Sequence, residues 1–292
     1  MGYGTAQITH TTADKFIPEL WMDEVRAYLR ANLVLADKVK MLNVMGKKGD
    51  VVHIPDVTEM VTTAKTGNTA VTFQTFTEGE FTLNLNFHQE SSFMVEDIAA
   101  IQSAYDLRTI YTQGAGYAIA KKIDNGIGAL GIALTGLFIG SDGSTAYNGV
   151  AGNAADLTEA GIRRVIERLD TANVPQEDRC LWIHPSQKNV LLAINRFTEY
   201  QMIGPGGMPL RTGQFGELFG VPVYVSTNVS TSGTGQVCLL FQKNAFVLAI
   251  QNQVRVQAEY KVDFLGTGVV CDVIYGYATF RDNHANALVV AP

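Results

Sequence analysis

The sequence predicts an α+β fold, and three observations carry the prediction. Between Val51 and His88 the chain is extended in character, ending in a strict alternation of Phe81, Leu83, Leu85 and Phe87 with Thr82, Asn84, Asn86 and His88. That is the period of a strand with one apolar face. From Asp97 to Phe138 the apolar residues recur at spacings of three and four, the period of a helix. Beyond residue 155 strand and helix patterns alternate, and residues 246–292 return to strand.

Residues 1–15 read as a polar, flexible arm. No basic segment followed by an apolar run opens the chain, so no signal peptide is expected. A helix follows, with Ile17, Leu20, Trp21, Val25, Tyr28, Leu29 and Leu33 on one face, Asp14 as cap and Pro18 in the first turn. In the extended region, Val51–Ile54 open a strand that Pro55 confines to an edge or bend. Lys65, Gly67 and Asn68 are turn material, and Val71 and Phe73 alternate with polar residues. A two-stranded ribbon cannot bury its own apolar face. The face of Phe81, Leu83, Leu85 and Phe87 therefore needs a cover, from this chain or a neighbouring copy, and we expect part of it to come from another copy.

Glu96 and Asp97 suit the N-terminal end of a helix. Ile98, Ile101, Tyr105, Ile119, Ile123, Ile127, Leu130, Leu134 and Leu137 form its stripe. Continuous from 97 to 138, the helix would be roughly 60 Å long. Asn125–Ser141 carries no charge, which approaches the roughly 17 residues of a minimal membrane span. Its glycines dilute that hydrophobicity, so a buried helix is expected. Those glycines imply close packing against a sheet, or a bend or break near Gly126–Gly131.

A loop runs over 140–155. Asp156 with Glu159 resembles a capping box before Ile162, Val165, Ile166 and Leu169, in a helix that stops before Pro175. Cys180–His184 reads as a buried strand. Pro185 starts a helix through Val190, Leu191, Ile194 and Phe197, and residues 204–220 form an irregular loop. Short strands follow at Pro222–Ser226 and Gln236–Phe241. Strand patterns then cover Val254–Tyr260, Val269–Phe280 and Asn286–Val290.

Composition narrows the function. The net charge of −6 argues against a basic face for duplex DNA. Charged residues are 17% of the chain, below the usual quarter or so, as expected if much surface meets other subunits. Cys180, Cys238 and Cys271 are too widely spaced for a disulfide framework and read as buried thiols. No two of the five histidines fall at a helical metal-ligand spacing. Gly126-Ile-Gly128-Ala-Leu-Gly131 matches a dinucleotide fingerprint literally, but it lies inside a helical pattern, where the fingerprint has no pyrophosphate-binding geometry. No catalytic, cofactor or metal residues are expected, and the chain does not read as an enzyme.

The order arm, helix, ribbon, long helix, α/β unit and returning strands resembles the Hong Kong 97-type major capsid proteins of tailed bacteriophages. Phe16-Ile-Pro-Glu-Leu-Trp21, Phe219-Gly-Val-Pro-Val-Tyr224 and Tyr275-Gly-Tyr-Ala-Thr-Phe280 are similar to phrases of that family. The resemblance implies a clasping arm at 1–15, an extended loop at 50–95 lying over a neighbour, and a peripheral domain of 16–49 and 96–154 with its spine helix at 97–138. It implies an axial domain at 155–245, whose loop at 204–217 nears a capsomer axis, and returning strands at 246–292.

The implied partners are copies of the chain itself, in hexamers and pentamers of an icosahedral shell around double-stranded DNA. A separate scaffolding protein and a portal are implied too, with no membrane and no cofactor. The implied location is the virion, assembled in the host cytoplasm. Intersubunit contacts are expected at Phe16, Trp21, Lys65, Phe73, Phe76, Phe81, Leu83, Leu85, Phe87, Met208 and Arg211. Lys65, near the ribbon tip, is the one obvious lysine for the covalent crosslinking some members perform, and crosslinking is not expected. The alternatives are an encapsulin-like compartment shell and a cytoplasmic α/β enzyme using the Gly126 region.

Overall fold

The computed structural model describes residues 34–57, 60–71, 73, 75, 77–103, 106–150, 154–194 and 216–292. The helix expected from Phe16 to Leu33 lies outside them, as do the contact candidates Phe16, Trp21, Phe76, Met208 and Arg211. The described chain runs α1 (Leu35–Lys38), β1 (Lys40–Asn43), β2 (Val51–Asp56), β3 (Gly79–Asn84), β4 (Phe87–Glu96), α2 (Asp97–Gln102) and α3 (Leu107–Leu130). It continues with β5 (Leu137–Ile139), α4 (Glu159–Thr171), β6 (Arg179–Ile183), α5 (Pro185–Leu192), β7 (Glu217–Leu218) and β8 (Val221–Val225). It closes with β9 (Thr231–Ser232), β10 (Gly235–Gln242), β11 (Phe246–Lys261), β12 (Gly266–Thr279) and β13 (Ala285–Val290).

Two sheets share the α3 helix. The first has four strands in the order β1-β11-β12-β4, β1 parallel to β11 and the rest antiparallel. The second has seven strands along β5-β13-β10-β6-β8-β7, with β9 paired to β10. One core joins them: Ile119, Ile123 and Ile127 of α3 cluster with Cys271, Val273 and Tyr275 of β12, and with Trp182, Leu239 and Ala287 of the larger sheet. The other face of the larger sheet buries Leu181, Cys238, Leu240 and Leu288 under Ile162, Val165 and Leu169 of α4 and Leu191 of α5. Helices cover both faces of this sheet, which is why β6 is buried at every residue and is apolar from Cys180 to Ile183.

The single helix expected over 97–138 is interrupted at both ends. α2 stops at Ser103, whose backbone is extended (φ −74°, ψ 134°). A new helix then starts at Asp106, whose carboxylate accepts the Thr109 N–H at 3.3 Å and the Thr109 hydroxyl at 2.5 Å. Beyond Leu130 the helix tightens into a 3-10 turn at Gly131–Ala133, and Leu137–Ile139 pairs parallel with β13. α3 is thus about 36 Å long. Apolar spacing could not separate its last turns from a short buried strand, because both are continuous apolar runs.

The glycines of this region make the close approach. A Cβ on Gly126 would lie 2.8 Å from the Tyr277 ring, one on Gly128 3.0 Å from Trp182, and one on Gly131 2.3 Å from Leu239. The literal dinucleotide fingerprint therefore sits at the C-terminal end of a helix packed on two sheets. A strand leading into a helix start, as pyrophosphate binding requires, is not its setting.

The cap of α4 also differs from expectation. Thr158, not Asp156, accepts the Gly161 N–H, at 3.1 Å, and its hydroxyl donates to the Ser141 carbonyl. Thr158→Ala is expected to cost about 1 kcal/mol, read as a lower urea midpoint with an unchanged slope. Among the described residues no helix is long and apolar enough to cross a membrane.

Candidate assembly surfaces

β2 and β3 form the ribbon, in register from Val51 opposite Asn84 to Asp56 opposite Gly79. Its apolar face is covered by the chain itself. Leu83, 1% exposed, and Leu85 cluster with Val44, Val247 and Ala249, flanked by Leu42, Val52, Phe81, Ala278 and Phe280. The Phe81 and Phe280 rings meet edge-on at 5.1 Å. Phe87 belongs to β4 and stacks on Tyr277 at 4.6 Å.

Leu83 and Leu85 are thus buried by their own chain, against the expectation that another copy helps to cover them, while Phe81 and Phe87 are only partly buried. Alternation reports that one face is buried; it carries no information about which chain does the burying. The ribbon base fits because β11 and β12 present small residues beneath it. A Cβ on Gly276 would lie 2.2 Å from the Asn84 carbonyl oxygen.

The ladder ends at Asp56 and Gly79, and the described residues of 57–78 pair in no strand. This loop carries exposed apolar side chains. Phe73 is 90% exposed, and Val57, Met60 and Val71 are also exposed. A turn closes the tip, with Asn68 left-handed (φ 62°) and the Thr69 hydroxyl donating to the Thr66 carbonyl at 2.7 Å. Lys65 stands exposed beside it. Of the described contact candidates, Phe73 and Lys65 are therefore presented outward.

A second exposed apolar cluster was not anticipated from the sequence. The hairpin joining β11 to β12 carries Val262, Phe264 and Leu265, all exposed. α2 is tied to it: the Asp97 N–H donates to the Leu265 carbonyl at 2.9 Å, and the Tyr260 hydroxyl to the Asp97 carboxylate at 2.7 Å. Ile98 and Ile101 are exposed on the same short helix, Ile101 at 83%. The available signal was Val262, Phe264 and Leu265 themselves, three large apolar residues around Asp263 in a hairpin turn where small and polar residues usually predominate. Along β11 this tip lies roughly 40 Å from Ala249 under the ribbon base, at about 3.3 Å per residue.

Between the two clusters the sheet is tied by charge. Arg255 Nε donates to Asp272 Oδ1 at 2.7 Å, and His88 Nε2 lies 3.0 Å from Asp272 Oδ2, linking β11, β12 and β4. The Arg255 hydrogen bond holds the Asp272 carboxyl below its ordinary range. The thiols are inert by comparison: all three cysteines are buried, and burial pushes Cys180 and Cys238 up to about 12. Among the described residues no group of three His, Cys, Asp or Glu is placed to hold a metal ion. A cleft of about 240 Å³ lies at the ribbon base, lined by Val44, Lys47, Lys48, Val52, His53, Leu85 and Gln251.

The described residues thus present two exposed apolar surfaces, and the chain's likeness to other proteins bears on what they are for. A family model described as phage capsid protein matches residues 92–290. No curated protein matches the chain. A structure from Mycobacterium phage Che8 aligns with TM-score 0.77 at 23% identity, over 94% of this chain and 97% of that one. The capsid of the cyanophage P-SCSP1u aligns with TM-score 0.79 at 19% identity, over 96% and 94%. The capsid of a native GTA particle aligns with TM-score 0.68 at 13% identity, over 99% and 100%. The family match covers well over half of the chain, and the structural matches span nearly all of it: this chain belongs to the phage capsid protein family and has the Hong Kong 97-type fold.

Proposed function

We propose that the chain is the major subunit of an icosahedral phage head, building the shell through two separate apolar contacts. The observation that carries this reading is the pair of separate exposed clusters, one on the loop 57–78 beyond the β2–β3 ribbon and one at the β11–β12 hairpin with α2. A single head-to-tail contact repeated about an axis closes a ring and stops there. A shell needs a second contact to join rings. In this assignment Phe73 and its neighbours on the loop lie on the adjacent subunit of a ring of six or five, and the hairpin tip meets another ring. The role is structural, without catalysis. Scaffolding and portal partners act during assembly, and the acidic chain encloses DNA as a wall without gripping its phosphates.

Electron microscopy of the expressed protein, with its phage neighbours co-expressed, tests the proposal. Closed shells are expected. Exchanging Ile101 and Phe264 together for serine is expected to leave the melting temperature of the subunit within about 2 °C, since exposed positions contribute little to stability. The same variant should yield free rings in place of shells. Shells of normal yield from that variant would remove the hairpin tip from the assembly contacts.

A further inference from the structure

α1 has no cap of its own. Its flanking residue Val34 makes no side-chain cap hydrogen bond. The cap comes from another helix, 90 residues further along the chain. Asp124, in the C-terminal third of α3 and 1% exposed, accepts the Ala36 N–H at 3.0 Å and the Val34 N–H at 3.4 Å. Asn228 donates to the Lys121 carbonyl at 3.2 Å, and Ser230 donates to Asn125 at 3.4 Å. One buried carboxylate therefore sits where three parts meet: the segment Val34–Lys38, the shared helix, and the loop between β8 and β9 of the larger sheet.

We propose that Asp124 is a releasable clasp that fixes the course of Val34–Lys38 across the shared helix. Beside the carboxylate, side-chain packing holds the segment. Leu35 and Val39 enter the core, and Lys38 lies over the Tyr224 ring at 4.9 Å. Beyond Val39 the parallel ladder of β1 on β11 begins, so release ends there. The clasp is finely balanced: the donated hydrogen bonds favour the carboxylate, while burial disfavours its charge strongly enough to raise its pKa. Opening it uncovers the two backbone donors of Val34 and Ala36 and leaves the ladders of both sheets intact. Copies of the chain in unlike positions of one shell can then direct this segment differently, a role that rests on the shell reading above.

Hydrogen exchange followed by mass spectrometry on the full chain tests the clasp, comparing the wild type with Asp124→Ala and Asp124→Asn. In Asp124→Ala, peptides covering Val34–Lys38 are expected to exchange at least about tenfold faster, with peptides of β10 and β13 unchanged. Asp124→Asn, which keeps one acceptor oxygen, should fall between, and it decides the matter if the alanine variant does not fold. Unchanged exchange at 34–38, or a uniform rise across the chain, would overturn the proposal and leave Asp124 an ordinary core group. For the assembly role, Asp124→Asn particles should vary more in size than wild-type ones, and equally uniform particles would refute that role. If wild-type protein forms no shells, the capsid reading fails while the exchange result still judges the clasp.

Discussion

Gly276→Val is expected to dislodge the ribbon base and to destabilise the subunit by more than about 3 kcal/mol, with Gly276→Ala near 2. The backbone of β3 crosses β12 so closely that the first added carbon would lie 2.2 Å from the Asn84 carbonyl oxygen and 3.0 Å from the Leu85 side chain. The obstacle is backbone, so no rotamer change relieves it. The ribbon must lift, which opens the cluster of Leu83, Leu85, Val247 and Ala249. Urea unfolding measures the loss. Hydrogen exchange should place the earliest opening in β2 and β3, ahead of β10 and β13. A valine variant with the wild-type midpoint would show that the ribbon does not rest on the sheet in this way.

Removing residues 60–77 and joining the ends with a short turn is expected to have the opposite character. The ladder from Val51–Asn84 to Asp56–Gly79 is spared, along with the cluster beneath it. The subunit should keep its melting temperature within a few degrees and lose shell formation. Leu83→Ala is the instructive contrast. It empties a site that is 1% exposed, and is expected to cost about 2–5 kcal/mol. Phe73→Ala, at 90% exposure, should leave stability unchanged and weaken assembly. Core and contact are thus separable within one hairpin. A deletion variant that assembles normally would exclude the loop from ring contacts.

Much of the fold was legible in the sequence because local pattern and final environment coincide. Cys180–His184, Gln236–Phe241 and Asn286–Val290 read as strands and lie within or across β6, β10 and β13. They are almost wholly apolar because helices cover the sheet. Leu107–Leu130 read as helix because its stripe meets both sheets. The ends of that helix were not legible. Asp106 stops one helix and starts another by a side-chain hydrogen bond that an apolar count ignores, and Leu134–Ile139 continues the apolar run as strand.

The assembly surfaces were half legible. Alternation at Phe81–Phe87 pointed to burial but not to the burying partner, and for Leu83 and Leu85 that partner includes the chain's own small residues Ala249, Gly276 and Ala278. The hairpin tip escaped notice because Ile98 and Ile101 fitted a helical core stripe. Only the break at Ser103 leaves them outward.

The most direct test replaces Phe73 and, separately, Leu83 by a photo-crosslinking amino acid and compares free subunits with assembled particles. A crosslink from position 73 to a second copy, in particles only, is the predicted result, while position 83 reacts within its own chain in both states. Crosslinks between copies from position 83, or only internal ones from position 73 in particles, would contradict the division of this hairpin into a self-covered base and an outward contact loop.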